Sequence, residues 1–340
     1  MSRCLPTAAV FAAWLFSGLL PAGAQAPRQR PAAPKSEPRI RVEVNLVNLL
    51  ASVVDAQGRP VAGLPREAFQ IYEEGVAQKV ELFEVETSQP LDLALMIDSS
   101  LSTFKELSFE REAAAHFIRQ VVRPGDRLGV FQFSETVTRL TDFSSDVPGL
   151  QAAARSVAPG AGTAMFDAIF LGARALSSGA AGRRRVIVLV TDAGETTSLG
   201  SFEDVRRAAL AAEALLYTVL IRPVKSESGR NTAGEHALVT IADVTGGAMY
   251  YPDSVAELDG IFDRIDRELR TQYRLGYYPD WKQGQGAGRT PARPPTGFRR
   301  IEVRVKGCGA ARPEGVTGDG PPSGCVVRHR RGYFIAGDKE

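Results

Sequence analysis

Hydrophobic positions change their spacing twice along the chain. Residues 39–88 contain short runs in which apolar and polar positions alternate, as is typical of half-buried strands. Residues 89–270 alternate short, almost fully apolar runs with longer segments of helical spacing, and residues 271–337 return to short strand-like runs. This pattern predicts an α/β fold with a doubly wound, mostly parallel sheet. It also predicts a small flanking β-domain built from the N- and C-terminal strands, because neither set is large enough to form a core alone.

Two runs in the middle segment are apolar on both faces. They are "LDLALMI" at 91–97 and "RRVIVLVTD" at 184–192. A strand that is covered by helices on both sides has this composition, because neither face meets water. Asp92 interrupts the first run near its start, and we expect this side chain to be exposed. Helical spacing follows at 105–122, "KELSFEREAAAHFIRQVV", so the strands alternate with helices as they do in a parallel sheet.

The N-terminal residues 1–24 have the features of a secretory signal peptide. Arg3 supplies a positive charge, residues 5–23 are apolar, and "AGAQ" offers a cleavage position after Ala24. A retained membrane anchor is the alternative, but the apolar run is short for a membrane span. Residues 25–38 are rich in proline and predict an extended linker. We therefore expect an exported protein, whether periplasmic, cell-surface or secreted, with no transmembrane segment in the mature chain.

The composition is that of an ordinary globular protein. The 340 residues include 41 Lys and Arg against 39 Asp and Glu, and 44% are hydrophobic. The net charge of +2 gives no reason to expect a nucleic acid as partner. After export two cysteines remain, Cys308 and Cys325, and we expect them to form a disulfide in an oxidising compartment. Zinc is a poor alternative because the 3 histidines are scattered along the chain.

Oxygen-bearing side chains follow the apolar strands of the middle segment. Asp98 and Asp192 each end such a strand, and the carboxyl ends of parallel strands are where doubly wound folds bind ligands. Ser100 and Ser102 follow the first aspartate, and Thr163 lies in the glycine-rich stretch "PGAGTAMFDAI". Mg²⁺ and Mn²⁺ prefer such oxygen ligands. The D-x-S-x-S stretch alone more often marks a helix N-cap, but the three segments in this order indicate a metal site.

These three segments resemble the metal ion-dependent adhesion site of von Willebrand factor A (VWA) domains. The resemblance implies a VWA, Rossmann-like fold, and it implies that Ser100 and Ser102 bind Mg²⁺ or Mn²⁺ directly. Asp98 and Asp192 would bind the ion directly or through water, and Thr163 would engage it in the ligand-bound form. The remaining coordination position is then left for an Asp or Glu carboxylate of a protein partner. The flanking strands look like those of exported bacterial VWA proteins of an acidobacterial type.

The resemblance covers residues 91–270 and departs from the family pattern after the last aspartate. Ala193 stands where family members often have glycine, and Gly194 follows it, so the backbone of this loop could differ. The next residue, Glu195, could approach the ion or be solvated, and we favour the solvated state because exposed glutamate is common. Asp167 could support the site through a hydrogen bond or be a surface residue of a helix.

Two other classes of function are weighed against an adhesion-type module. A serine hydrolase would need a G-x-S-x-G elbow, and a dinucleotide-binding enzyme would need a glycine-rich turn after the first strand. The chain has "DSSLS" at that turn and contains no G-x-S-x-G motif and no P-loop, so we expect no enzymatic activity. The alternative is a non-catalytic envelope scaffold whose metal site is vestigial or structural, with partner contacts made by the β-domain.

Overall fold

The strands and helices follow the spacing of the apolar residues. The computed structural model describes residues 46–85, 88–101, 107–221, 231–279, 297–308 and 324–335, all within one compact unit. The strands are β1 (Val47–Asp55), β2 (Phe69–Glu73), β3 (Val76–Gln78), β4 (Leu82–Glu84), β5 (Leu91–Asp98), β6 (Arg127–Phe133), β7 (Val137–Arg139), β8 (Arg184–Thr191), β9 (Ala214–Leu220), β10 (Ala248–Tyr250), β11 (Tyr273–Tyr277), β12 (Gly297–Val305), β13 (Cys325–His329) and β14 (Gly332–Ile335). The helices are α1 (Leu107–Val121), α2 (Val147–Arg155), α3 (Met165–Ser177), α4 (Phe202–Ala211), α5 (Thr232–Thr245) and α6 (Leu258–Arg270).

A central sheet of six strands has the order β10-β9-β8-β5-β6-β7. Its strands are parallel except for the short edge strand β7, which runs antiparallel to β6. Strand β5 lies in the middle, between β6 and β8, and every residue of β5 is buried. The carboxyl ends of β5 and β8 are therefore neighbours at one edge of the sheet.

Helices cover both faces of the central sheet. Helices α1, α2 and α6 pack with one set of strand residues, which includes Leu93 and Leu95 of β5. Helices α3, α4 and α5 pack with the opposite set, which includes Ala94 and Met96. Consecutive residues of a strand point to opposite faces, so both faces of β5 must be apolar. The predicted doubly wound sheet is confirmed.

Two antiparallel sheets flank this core, with orders β13-β1-β11-β4 and β14-β12-β2-β3. Each of them combines strands from both ends of the chain: β1 pairs with β11 and β13, and β2 pairs with β12. The two sheets share one apolar core that includes Leu49, Ile71, Tyr273 and Val303. Flanking sheets built from N- and C-terminal strands are therefore present, as the spacing predicted. The predicted signal peptide and linker lie outside the described residues.

The second flanking sheet is joined to the first by a disulfide. Cys308 follows β12, Cys325 begins β13, and the two are bonded with their Cα atoms 4.7 Å apart. The predicted disulfide is confirmed. None of the helices in the described part of the chain is long and apolar enough to cross a membrane.

Asp92 is buried, so the expectation that it is exposed was wrong. Its side chain is only 3% exposed and forms ion pairs of 2.5 Å with Arg127 and Arg183. Burial alone would raise the pKa of the Asp92 carboxyl, but the hydrogen bonds and positive charges of the two arginines outweigh it and lower this pKa. The arginines come from β6 and from the turn before β8. The ion pairs therefore connect the starts of the three adjacent strands β8, β5 and β6.

Candidate metal centre

Asp98 is held rigidly at the carboxyl end of β5. The residue is fully buried, and its Oδ1 accepts a hydrogen bond of 2.9 Å from the backbone N–H of Ser100. Its Oδ2 accepts a hydrogen bond of 2.7 Å from the hydroxyl of Thr191, the last residue of β8. Both oxygens of the carboxylate are therefore fixed in place by neighbouring strand ends.

The electrostatic environment of Asp98 is unfavourable to its charge in the absence of a cation. Burial, together with the negative charge of Asp192, raises the pKa of the Asp98 carboxyl to about 6. The hydrogen bonds from Thr191 and Ser100 act in the opposite direction and lower this pKa. The hydroxyl of Ser100 also donates a hydrogen bond to Asp98, which favours the charged form of the carboxylate. A positive ion beside these groups would remove the repulsion between the two carboxylates.

The glycine-rich loop that carries Thr163 is joined to the end of β5. Gly160 donates a backbone hydrogen bond of 2.8 Å to the carbonyl of Ser99, and Ser100 and Gly160 form an isolated parallel bridge. Thr163 follows three residues later and is only 4% exposed. The loop therefore reaches the same edge of the sheet as Asp98, as the sequence predicted for this threonine.

Thr163 and Asp192 face a common space beside Gly194. A Cβ atom built on Gly194 would lie 3.0 Å from Asp192 Oδ1 and 3.1 Å from Thr163 Oγ1. Contacts this short are tighter than ordinary van der Waals contact, which begins at 3.4 Å. The backbone N–H of Gly194 also donates to Asp192 Oδ1 at 2.9 Å and so orients that carboxylate. Two oxygens from different segments therefore approach the same side of Gly194 so closely that a side chain there would press against both.

The departure from the family pattern is visible in the backbone of the next turn. Ala193 has a φ of +64°, in the left-handed region that favours glycine, and it is completely buried. A Cβ on Gly234, near the start of α5, would collide with the carbonyl oxygen of Ala193. Helix α5 therefore packs closely against this carbonyl. The left-handed conformation costs Ala193 about 1–2 kcal/mol.

Glu195 is half-buried, and its carboxylate accepts hydrogen bonds from the backbone instead of being simply solvated as expected. Its Oε2 accepts a hydrogen bond of 2.9 Å from the backbone N–H of Phe166, in the first turn of α3. Its Oε1 accepts another of 2.9 Å from the N–H of Ser198. A carboxylate at a helix N-terminus satisfies a free N–H and interacts favourably with the helix dipole.

Asp167 holds the same loop from the opposite side. Its carboxylate accepts hydrogen bonds from the backbone N–H groups of Leu199 at 3.0 Å and Gly200 at 2.9 Å. Thr196 completes the contact, because its hydroxyl accepts a bond of 2.9 Å from the N–H of Thr163 and its own N–H donates to the Thr163 carbonyl. The loop after Asp192 is thus fastened to the segment that carries Thr163.

Four of the five predicted metal ligands therefore lie in the described part of the chain. Ser102 falls at 102–106, outside the described residues. Asp98 accepts a hydrogen bond from Ser100 and feels the charge of Asp192, and Asp192 and Thr163 both approach Gly194. No group of three or more His, Cys, Asp or Glu side chains suited to a metal occurs among the described residues. A cation here would therefore depend on hydroxyl oxygens as well as on the two carboxylates, and an all-oxygen set suits Mg²⁺ or Mn²⁺.

The positions of Thr191, Glu195, Thr196 and Gly234 were not foreseen from the sequence. Thr191 could have been suspected, because it directly precedes the aspartate at the end of an apolar strand. The other three act through contacts with distant segments, and no local spacing pattern signals such contacts.

Comparison with known proteins agrees with this geometry. Residues 93–195 match the family model of the von Willebrand factor type A domain. Similar solved structures include BatB from Bacteroides thetaiotaomicron, at 18% identity over 53% of this chain and 100% of that one, with a TM-score of 0.41. Another is a von Willebrand factor type A protein from Catenulispora acidiphila, at 11% identity over 78% and 71% of the two chains, with a TM-score of 0.47. These identities and TM-scores carry no argument about function, and no curated protein matches the chain significantly.

The chain therefore contains a von Willebrand factor type A domain. The matched segment begins within β5 and ends just after β8, so it includes Asp98, Thr163 and Asp192. Domains of this family are protein-interaction modules, and that is the class of function the match supports. The acidobacterial type of the resemblance is not tested by the comparisons and stays a prediction.

Proposed function

We propose that this protein is an exported, non-catalytic module that binds another protein through a divalent cation. The cation is Mg²⁺ or Mn²⁺, and its protein ligands are Asp98, Ser100, Ser102, Thr163 and Asp192. An Asp or Glu side chain of the partner completes the coordination. The observation that carries the proposal is the approach of Thr163 Oγ1 and Asp192 Oδ1, which come from different segments, to the same side of Gly194.

The roles of these ligands follow from their hydrogen bonds. Both oxygens of Asp98 already accept protein hydrogen bonds, so this carboxylate supplies charge and holds Ser100, and contacts the ion directly or through water. Ser100 is held beside Asp98 by its backbone N–H, and its hydroxyl oxygen is the proposed ligand of the ion. When bound, the cation supplies a concentrated positive charge with one position open to an outside ligand.

The expected partner group is a carboxylate because of the balance of charge at the site. Neutral hydroxyls make up most of the proposed set, and only two carboxylates oppose the ion. Such an ion keeps a strong affinity for a further anionic oxygen. A carboxylate from a partner satisfies that affinity, which makes metal binding and partner binding mutually dependent.

Export is part of the proposal. The disulfide between Cys308 and Cys325 supports it, because structural disulfides form and persist in oxidising compartments. The signal-peptide pattern of residues 1–24 supports it independently. The predicted location is the periplasm, the cell surface or the external medium.

Affinity capture from the native cell envelope tests the proposed function. Immobilised wild-type protein should retain a partner in Mg²⁺, lose it in EDTA, and recover it when Mg²⁺ is restored. The Asp98→Ala variant should capture none, whereas the matched control Asp142→Asn should behave as wild type, because the Asp142 side chain is 86% exposed and lies after the end of β7. Capture that persists unchanged in EDTA would instead support a scaffold whose β-sheets make the contacts.

A further inference from the structure

A cavity of about 260 Å³ lies at the opposite edge of the central sheet from the candidate metal centre. It is lined by the residues that begin β8 and β9 together with parts of β1 and β11. Five arginines contribute to its wall: Arg183, Arg184, Arg185, Arg274 and Arg330. Some of these residues belong to the von Willebrand factor type A domain and others to the flanking sheets, so the cavity lies where the two meet.

Three of these arginines form ion pairs with carboxylates, although Asp92 is shared with Arg127. The pairs are Arg183 with Asp92 at 2.5 Å, Arg274 with Glu84 at 3.2 Å, and Arg330 with Glu213 at 2.7 Å. Glu213 itself lines the cavity, and the other two carboxylates do not. The remaining arginines, Arg184 and Arg185, form no ion pair within the described residues.

Arg184 is a buried cation whose hydrogen-bond acceptors are all neutral. Its Nε donates to the Gln89 carbonyl at 2.9 Å, and its Nη1 donates to the Leu269 carbonyl and to Gln272 Oε1. Burial and the positive charge of Arg270 together lower the pKa of the Arg184 guanidinium to about 10, although the negative charge of Asp126 acts in the opposite direction. A charge kept in such surroundings is stabilised by an opposite charge nearby.

Arg185 and Arg330 each retain a hydrogen-bond donor that the described residues do not satisfy. Arg185 Nη1 donates to the Ala212 carbonyl at 2.9 Å, but its Nε is buried without an acceptor. Arg330 is only 9% exposed, and its Nε likewise has no acceptor among the described residues. Two residues that line one cavity thus each have a buried donor that could serve an acceptor bound there.

We propose that this cavity binds a small molecule that carries a phosphate group. Guanidinium groups match the oxygens of a phosphate in geometry and bind it through paired hydrogen bonds. A phosphate monoester carries a charge of about −1.5 to −2 at neutral pH, which balances the two arginines without carboxylate partners. The ligand contacts Arg184 and Arg185 on one side and Arg330 on the other, and so fastens the flanking sheets to the von Willebrand factor type A domain.

Calorimetry on the purified protein in EDTA tests this proposal independently of the metal centre. Inorganic phosphate and glycerol 3-phosphate are the two probes. Wild type should bind one equivalent and show a higher Tm with the probe present, because binding to the native state stabilises it. Arg185→Gln should weaken binding by about tenfold or more. The matched control Arg139→Gln, whose side chain is 51% exposed on β7, should bind as wild type.

The two probes also distinguish the source of the phosphate group. Tighter binding of glycerol 3-phosphate identifies an organic phosphate ester, and equal binding identifies free phosphate. If Arg185→Gln fails to fold, Arg330→Gln serves instead, because Arg330 is the proposed contact on the other side of the same cavity. The proposal is overturned if wild type binds neither probe at about 10 mM, or if the cavity variant binds both as tightly as wild type does.

Discussion

Replacing Gly194 by alanine places a methyl group between two of the proposed metal ligands. The new Cβ would lie 3.0 Å from Asp192 Oδ1 and 3.1 Å from Thr163 Oγ1, whereas ordinary contacts begin at 3.4 Å. The two oxygens must therefore move apart by a few tenths of an ångström. The backbone is no obstacle, because Gly194 does not have the positive φ that disfavours a side chain.

The effect on metal affinity should be much larger than the effect on folding. Mg²⁺ requires ligand distances of about 2.0–2.1 Å in near-octahedral geometry, so displacement of two ligands is poorly tolerated. Changes in the groups that orient metal ligands typically cost about 10–100-fold in affinity, and we expect a loss in this range or above it. This corresponds to about 1.4–2.7 kcal/mol of binding free energy. The free energy of unfolding should fall by less than about 2 kcal/mol, because only side-chain oxygens are crowded.

Isothermal titration with Mg²⁺ and with Mn²⁺ measures the affinity, and urea unfolding in EDTA measures the stability. Gly260→Ala is the matched control, because Gly260 lies in α6 and a Cβ there meets nothing within 4 Å. The control should bind metal as wild type and be more stable by up to about 1 kcal/mol, since alanine favours a helix. Unchanged metal affinity in Gly194→Ala would refute the placement of the ion between Thr163 and Asp192.

Three further predictions concern the support of the site and the flanking sheets. Glu195→Gln should lower the free energy of unfolding by about 1 kcal/mol and weaken Mg²⁺ binding, because it removes a charged cap from α3; urea unfolding that matches wild type would contradict this. Cys308→Ser should cost about 3 kcal/mol in guanidinium unfolding, and reduced wild type should match it, because the bond to Cys325 closes a loop at a sequence separation of 17. Burial, aided by the charge of Arg331, lowers the pKa of His329 to about 4, so the unfolded chain binds a proton below pH 6.5 that the folded chain does not. Stability should therefore fall as the pH drops from 6.5 to 4, by up to about 3 kcal/mol more in wild type than in His329→Gln, and parallel pH profiles for the two would contradict this assignment.

Much of the architecture was predictable because a strand that is buried on both faces needs apolar residues at consecutive positions. The runs at 91–97 and 184–192 contain five consecutive apolar residues each, at 93–97 and 186–190, and they form the central strands β5 and β8. An aspartate at the end of each run must then lie at the same edge of the sheet. The flanking sheets were predictable for a related reason, because strands at both ends of the chain were too few to form cores separately.

The contacts that hold the site could not be predicted from the sequence, because they join segments that are far apart in the chain. Exposure is the common state of a glutamate, yet Glu195 caps a helix that begins thirty residues earlier, at Met165. Asp92 was misjudged in the same way, since its burial depends on Arg127 and Arg183 from neighbouring strands. The spacing of apolar residues reports which face is buried, and it does not report which charged partners meet there.

The central claim is that Asp98 and its neighbours hold a divalent cation, and a calorimetric titration of Asp98→Ala with Mg²⁺ tests it most directly. Wild type should bind one Mg²⁺, and the variant should show no measurable binding while its circular dichroism spectrum and cooperative unfolding stay those of a folded protein. Undiminished Mg²⁺ affinity in the folded variant would contradict the account.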